Sequence, residues 1–480
     1  MPVQGDYTSV GSPTYIPDQT INNAWQEGAN STTHNPLPGF GTHITGGTAA
    51  NGFDINPAGA SASILKYSSS ANSWLPLANT NNTKVAADAY MLFVRGDRSI
   101  PLSYNNVNPT PTTLRSTGYL KDGDQTFAVS ANGFTAIPNP FASPVNFATI
   151  TRNNVQNNFY LWDPKLGGPN GVGGYVLISS DGAGGYNITP APASPESQYI
   201  QSGQGFLVQS TGVAGSIVIK ETDKYEGPSA NVFRSSKIVK GIRVTLQVAN
   251  MDKSTSVLDE ALTSYSNNYS NNIDDLDAIK PPNFNENLSL VRDGKELMIE
   301  RRNTSISNDT LFLKLWNMEY KEYFLQFTPE NLAGTPIQSA ILVDHYLKTS
   351  TTIDLKEGST HKFTIDGNAT STNPRRFMVV LNGAKYDVSP IITKAGFKLS
   401  PNPVIGRALN IQFINQPKGT YNIELVNSLG QVILKDQVKH AGGTIINPLR
   451  LKNNISKGAY QLYINNPATN IKTVVVVMSN

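Results

Sequence analysis

Glycine and proline set the grain of this chain: 39 of one and 30 of the other are spread through 480 residues, about one breaker in every seven. Stable helices need longer uninterrupted runs than that, whereas strands of about five or six residues fit between the breakers. Only 15% of residues are charged, against about 25% in an average soluble protein, so long solvated helices are disfavoured again. The expected fold is all-β and multi-domain, made of β-sandwich domains. At about 150 residues per domain, the length suits roughly three of them.

Cysteine is absent, which removes disulfide staples, thiolate metal sites and cysteine nucleophiles together. The longest apolar run, Val474 to Met478, is far shorter than the ~18 residues of a membrane-spanning helix. The opening Met1-Pro2-Val3-Gln4-Gly5-Asp6 lacks the basic and apolar regions of a secretory signal. An exported chain with this start would use another route or be a fragment.

Charge divides the chain into three. Residues 1–230 carry 10 Lys/Arg against 14 Asp/Glu, residues 231–389 carry 18 against 19, and residues 390–480 carry 10 against 2. The net +3 therefore conceals a tail of +8, which suits a solvated basic face or an acidic partner such as an anionic membrane surface. No Lys/Arg cluster interleaved with stacking aromatics occurs, so nucleic acid is not expected as a partner. The domains expected are a Gly/Asn-rich β domain over 1–230, a β-sandwich over 231–388, and a linker plus a small immunoglobulin-like sandwich over 389–480.

In the first section, Tyr90–Val94, Thr126–Ser130, Tyr175–Ser179, Gly205–Gln209 and Ser216–Lys220 read as strands. Turns such as Asp122-Gly123 and Pro138-Asn139-Pro140 separate them. Residues 20–60 show little periodicity and read as loop or a poorly ordered remnant. In the second section Ile242, Val244, Leu246 and Val248 alternate with Arg243, Thr245 and Gln247, the pattern of a strand with one wet side. Leu311, Leu313 and Leu315 repeat it, Leu297–Glu300, Ile341–Asp344 and Phe377–Leu381 add strands, and a short helix is expected around Leu258–Leu262. Beyond an interrupted linker at 386–397, period-two runs follow in close succession: Leu409/Ile411/Phe413, Tyr421/Ile423/Leu425, Val432/Leu434, Tyr460/Leu462/Ile464 and Val474/Val476/Met478. Asn427-Ser428-Leu429-Gly430 closes the central hairpin, with Gly430 suited to a left-handed backbone.

Lys398-Leu399-Ser400-Pro401-Asn402-Pro403, the hairpin ending in Gly430-Gln431, Lys457-Gly458-Ala459-Tyr460 and the final strand beginning Lys472-Thr473 come in an order and spacing that resembles the type A C-terminal sorting domain of type IX secretion cargo. Ser400 stands where that family usually has an aromatic residue. The resemblance implies a protein of Bacteroidota that folds in the periplasm and is recognised through this sandwich by the outer-membrane translocon with its shuttle and sortase components. It implies a cell-surface or secreted location, cleavage in the linker before Lys398, attachment of the body to anionic lipopolysaccharide, and a natural start upstream of residue 1. Pro401, Asn402, Pro403, Gly430, Gln431, Gly458, Tyr460 and Lys472 are the expected sorting determinants. The body, through Ala89–Asp97, Pro138–Pro144, Tyr160–Pro164, Ser202–Phe206, Asp274–Lys280 and Arg376–Val380, is similar to poorly characterised modules of adhesin-like surface proteins.

A catalytic constellation is not evident. His34, His43, His345, His361 and His440 lack zinc-binding spacing, and no nucleophile elbow, phosphate loop or dinucleotide fingerprint occurs. Asp163, Asp181, Glu196 and Glu221 are candidate carboxylates for glycoside hydrolysis, and Trp74, Trp162, Tyr175 and Tyr186 a candidate platform for sugar rings. The residues that best suit a metal are Asp274, Asp275 and Asp277, hard oxygen donors for a structural calcium, with Glu286 a loop-length downstream of Asp275. Lys280 and Pro281-Pro282 exclude an EF-hand there. Arg95-Gly96-Asp97 spells an integrin-type tripeptide. The expectation is a non-catalytic, adhesin-like or stalk protein without a required cofactor. The alternative is a secreted protein whose first section binds or hydrolyses glycans.

Overall fold

In this computed structural model the described residues are 6–479 except 16–18, 30–37, 57–60, 87, 101, 103–109, 169–171, 181–184, 192–193, 195, 227–239, 251, 253, 305–308, 320, 336, 383–395, 406–407, 428, 441–442, 452–454, 457 and 468–470. Strands dominate throughout, and the single α-helix among these residues is the short Ile21–Trp25, capped where Thr20 Oγ1 accepts the Asn23 N–H at 3.3 Å. Breakers too frequent for helix thus yield an all-β, multi-sheet protein.

In the first section a four-stranded sheet runs in the order Asp6–Val10, Tyr90–Val94, Ile64–Ser68, Ser73–Pro76. A five-stranded sheet runs Tyr186–Thr189, Gly174–Ser180, Asn158–Asp163, Gly205–Gln209, Phe134–Pro138. One face of the latter, with Phe159, Leu161, Val176, Ile178, Phe206 and Val208, shares a core with Ile217 and Ile219 of a three-stranded sheet. The other face carries Tyr160, Trp162, Tyr175, Leu177 and Leu207, which pack in one cluster with Leu262, Ala278, Met298 and Ile299 of the second section. Strand alternation here sends apolar side chains both ways, so Asn158–Asp163 is buried at every position.

The described part of residues 20–56 is an ordered, irregular segment rather than a poorly ordered remnant. Ile21, Ile44 and Phe53 are core residues, and buried Asp54 anchors the irregular chain by pairing with Arg98 (2.7 Å) and accepting the Ile44 N–H (2.9 Å). Side-chain hydrogen bonds do here what a regular ladder does elsewhere, which is why no periodicity announces the order.

The second section folds over one core. Gly241–Ala249, Thr255–Tyr265, Glu322–Glu330 and Ser359–Thr364 form one half, and Asn287–Arg292, Lys295–Arg302, Asp309–Trp316, Ala340–Asp344, Thr349–Ile353 and Phe377–Leu381 form the other. A parallel pairing of Leu262–Tyr265 with Ile299–Arg302 joins them. Ile242, Val244 and Leu246 meet Leu313, Leu342 and Val379 inside. The helix expected at Leu258–Leu262 is strand instead: it bonds Gly241–Ala249 on one side and Lys295–Arg302 on the other, and tertiary pairing overrides local propensity. The side of Gly241–Ala249 expected to be wet is also corrected in part. Arg243 and Thr245 are polar but 7% exposed, because the first section covers them.

The last section is a seven-strand sandwich. Gly396–Ile405, Ala408–Gln416 and Gly443–Arg450 make one sheet; Val432–His440, Gly419–Asn427, Gly458–Asn466 and Ile471–Ser479 make the other. Leu409, Ile411, Phe413 and Leu449 from the first close on Tyr421, Ile423, Leu425, Leu462 and Ile464 from the second.

Candidate functional site

The strand Gly396–Ile405 belongs to both sheets of the terminal sandwich. It pairs antiparallel with Ala408–Gln416 as far as Ser400↔Asn410, the register breaks and resumes only at Ile405↔Ala408, and Val404 in between pairs parallel with Ser479 of the opposite sheet. Pro401-Asn402-Pro403 occupies the crossing. A proline has no N–H to give a ladder, and two of them interrupt the pairing with one partner and leave room for a bridge to another. The backbone of these three residues, and that of Lys472 in Ile471–Ser479, is what the structure describes.

Gly430 sits at φ 81° in the hairpin between Gly419–Asn427 and Val432–His440. Asn427 organises the turn: its Oδ1 accepts the N–H groups of Leu429 (3.0 Å) and Gln431 (2.9 Å), and its Nδ2 donates to Gln431 Oε1 (2.9 Å). Gln431 is therefore a turn clamp, and the tip it holds presents Leu429 at 82% exposure. Tyr460 is buried, directly opposite Asn427 in the ladder, and donates from its hydroxyl to Ser456 O at 2.7 Å. Gly458, at φ 151°, opens that strand opposite Ser479. The described motif residues thus set one sheet crossing, one hairpin and one strand start. On the outer face Tyr463, Glu424 and Lys435 lie in a row across three strands, Lys435 pairing with Glu424 at 2.8 Å. Val432 and Ile433 are exposed where the edge strand begins.

The other candidates are dispersed. Asp163 is buried, with Oδ1 accepting the Lys165 N–H at 2.9 Å. Burial holds the Glu196 carboxyl above the usual carboxylate range, with a Gln204 hydrogen bond opposing and the Asp163 charge adding. Glu221 pairs with Lys224 near the surface, and Asp181 lies outside the described residues. Asp274, Asp275 and Asp277 line a cleft of about 490 Å³ between the first two sections. Asp277, its carboxyl pushed up by burial, spends both oxygens on backbone, accepting from Asp274 N (2.9 Å) and Arg301 N (2.7 Å). Asp274 Oδ1 accepts the Leu276 N–H at 2.9 Å. This is a capped turn rather than a shared cage, and among the described residues no group of three His, Asp or Glu is placed to hold a metal ion. Glu286 is elsewhere, accepting from Tyr323 Oη at 2.8 Å. Asp97 of the Arg-Gly-Asp tripeptide is buried and accepts from Gly39 and Ser99.

Of the four expected aromatics only Tyr186 sits apart, packing beside Phe147. Trp162 is 3% exposed and meets Tyr175 edge-on, with ring centroids 4.9 Å apart. Trp74 and Tyr175, joined by a 2.6 Å hydrogen bond from Trp74 Nε1, line a second cleft of about 270 Å³ with Tyr67, Phe284, Asn72 and Asn317. Tyr67 and Phe284 are absent from the expected platform: Tyr67 stands opposite Trp74 on the neighbouring strand, and Phe284 reaches the cleft from a loop of the second section.

Several sheets stacked in sandwich-like layers define a modular all-β protein. The chain belongs to the family described as "Domain of unknown function (DUF8693)", whose model matches residues 45–381. The match runs across the first two sections and stops before the terminal sandwich. No curated protein matches the chain. Among solved structures, PorZ, described as an essential bacterial surface component of the type IX secretion system of Porphyromonas gingivalis, is similar over 85% of this chain and 66% of its own, slightly under two thirds. The identity is 8% and the TM-score 0.16, a likeness too loose to carry an argument.

Proposed function

We propose that this chain is cargo of a type IX translocon, delivered to the cell surface or beyond by its terminal sandwich, with a non-catalytic body acting as a stalk or adhesin. The observation that carries the reading is the coincidence of motif and geometry: Pro401-Asn402-Pro403 lies at the sheet crossing and Gly430-Gln431 at the hairpin of a sandwich closed on its own core. A detachable domain of this kind is what an export machine and a surface peptidase need to find. The +8 charge of residues 390–480 favours an anionic outer leaflet, an attraction that salt screens over about 8–10 Å. Residues 390–480 fused to a periplasmic reporter in a type IX-competent host should carry it to the surface; a reporter left in the periplasm refutes the proposal.

A second reading concerns the body. The cleft of Tyr67, Trp74, Tyr175 and Phe284, edged by Asn72 and Asn317, combines flat apolar rings with amide donors and acceptors, as a neutral sugar requires. None of Asp163, Glu196 or Glu221 lines it, which favours binding over hydrolysis. Glycan binding by residues 1–389 that Trp74→Ala abolishes supports this reading; no binding to any glycan tested counts against it.

A further inference from the structure

We propose that Lys280 and Asp259 form an intramolecular amide bond, a covalent staple inside the second section. Asp259 lies on the strand Thr255–Tyr265 opposite Leu246, and so faces the core that Leu246 enters. Lys280 follows the short strand Ala278–Ile279, which bonds Lys295–Arg302. The two side chains are 0% exposed, and Lys280 Nζ stands 3.1 Å from Asp259 Oδ1. Lys280 Nζ makes no hydrogen bond of good geometry among the described residues, and the one further charge known to act on it is the Glu296 carboxylate. An ammonium brings three protons that all need acceptors, and burying one without well-formed hydrogen bonds is costly. An amide N–H needs one.

The surroundings favour reaction over ionisation. Burial lowers the affinity of Lys280 for its proton and raises that of Asp259, the nearby opposite charges opposing both effects, so both are pushed toward the neutral forms. A desolvated neutral lysine is a competent nucleophile. The electrophile is held in place: Asp259 Oδ2 accepts the Leu288 N–H at 2.7 Å and Oδ1 accepts the Glu260 N–H at 3.0 Å. The Leu288 N–H sits where negative charge grows as Nζ adds to Cγ, the role of an oxyanion donor.

The step balances within the pair. One proton passes from the ammonium to Oδ1, the Nζ lone pair forms the bond to Cγ, and Oδ2 takes the displaced electron pair. A second proton moves from nitrogen to the Oδ1 hydroxyl, the C–Oδ1 bond breaks, and water leaves. Ammonium plus carboxylate becomes amide plus one water, without oxidant or co-reactant. The bond would close the loop between residues 259 and 280, which carries the aspartates of the larger cleft. In a chain without cysteine, it gives the constraint that a disulfide gives elsewhere. This inference is independent of the export proposal.

The test is mass spectrometry of the purified full chain under denaturing conditions. The expected mass lies about 18 Da, one water, below that of the sequence, and digestion releases a branched peptide joining Asp259 to Lys280. Peptide mapping is required because succinimide formation at Asp122-Gly123 or Asp181-Gly182 loses the same mass. Lys280→Arg keeps the charge and should restore the full mass and abolish the branched peptide. Linear peptides carrying free Asp259 and Lys280 in the wild-type digest overturn the proposal, whatever the fate of the variant.

Discussion

The terminal sandwich and the second section are both β-sandwiches, and they treat their outward faces differently. In the terminal sandwich, strands such as Gly458–Asn466 alternate buried and open positions, with Tyr460, Leu462 and Ile464 inside and Ala459, Gln461 and Tyr463 outside. In the second section the last eight residues of Thr255–Tyr265 are all buried. Its outward residues lie under the first section: Leu262 packs with Trp162 and Leu177, and Glu260, holding Arg243 at 2.8 Å, also accepts the Ala191 N–H at 3.3 Å. A sandwich with one core and wet faces can be detached, whereas one that lends a face to a neighbour cannot. The family match respects this difference, spanning both body sections and ending at Leu381.

The largest expected effect follows from cutting the chain. Residues 1–389 expressed alone should keep a cooperative unfolding transition like that of the body in the full chain. Residues 1–230 alone would expose Tyr160, Trp162, Tyr175, Leu177 and Leu207 together, an apolar patch that leads to aggregation. A soluble, cooperatively folded 1–230 fragment, assayed by size exclusion and circular dichroism, would break the distinction between a shared and a self-contained core.

Point substitutions sharpen it. Arg376 is 2% exposed, binds Asp344 through Nε (3.0 Å) and Nη2 (2.8 Å), and lies over the rings of Tyr346, Phe363 and Phe377. Arg376→Met strands a buried carboxylate and should cost the body about 3–5 kcal/mol. Leu462→Ala, within the terminal core, should cost that sandwich about 2–5 kcal/mol. In guanidinium titrations of the full chain each should move one transition and leave the other in place.

The sequence made the terminal sandwich legible because its faces obey simple rules: apolar residues in, polar residues out, and breakers at the turns. Gly205–Gln209 and Tyr90–Val94 were readable to the residue for a different reason, as short, largely buried apolar runs. What could not be read depended on contacts between distant segments. Arg243 and Thr245 look wet until the first section covers them, and Leu258–Leu262 looks helical until strands flank it on both sides. In the candidate surface, Pro401, Asn402, Pro403, Gly430 and Gln431 were visible as motif, but the sheet crossing and the exposed Leu429 tip were not. The aromatic cleft was half visible, since Trp74 and Tyr175 are conspicuous while Tyr67 and Phe284 join them only through folding.

Acid should separate the two regions more gently. Burial raises the Asp54 carboxyl, but hydrogen bonds from His43 and Arg98 and the charge of Arg98 outweigh it, leaving its pKa below the usual 3.8. A carboxylate depressed in the folded state contributes stability that is fully present above the unfolded pKa and is lost as pH falls through the folded one. The body should therefore lose this contribution progressively below about pH 4, and Asp54→Asn should flatten that part of its profile while leaving the terminal transition unaffected. An unchanged profile in the variant would mean that the Asp54–Arg98 pair adds nothing to the stability of the body.

The smallest expected effect bears on what the hairpin contributes. A Cβ placed on Gly430 meets nothing within 4 Å, so the cost of Gly430→Ala is purely that of its positive φ, about 1 kcal/mol. That cost should appear in the terminal transition alone. Since the sandwich core lies beneath the strands and not in the turn, delivery of a fused reporter should survive Gly430→Ala if Gly430 serves only the fold. Leu429→Asp changes the exposed tip without touching the φ requirement, so it should leave stability within about 0.5 kcal/mol. If Leu429→Asp blocks delivery where Gly430→Ala does not, the tip itself is read. If neither does, the turn is structural, and recognition falls to the row of Tyr463, Glu424 and Lys435 on the outer face.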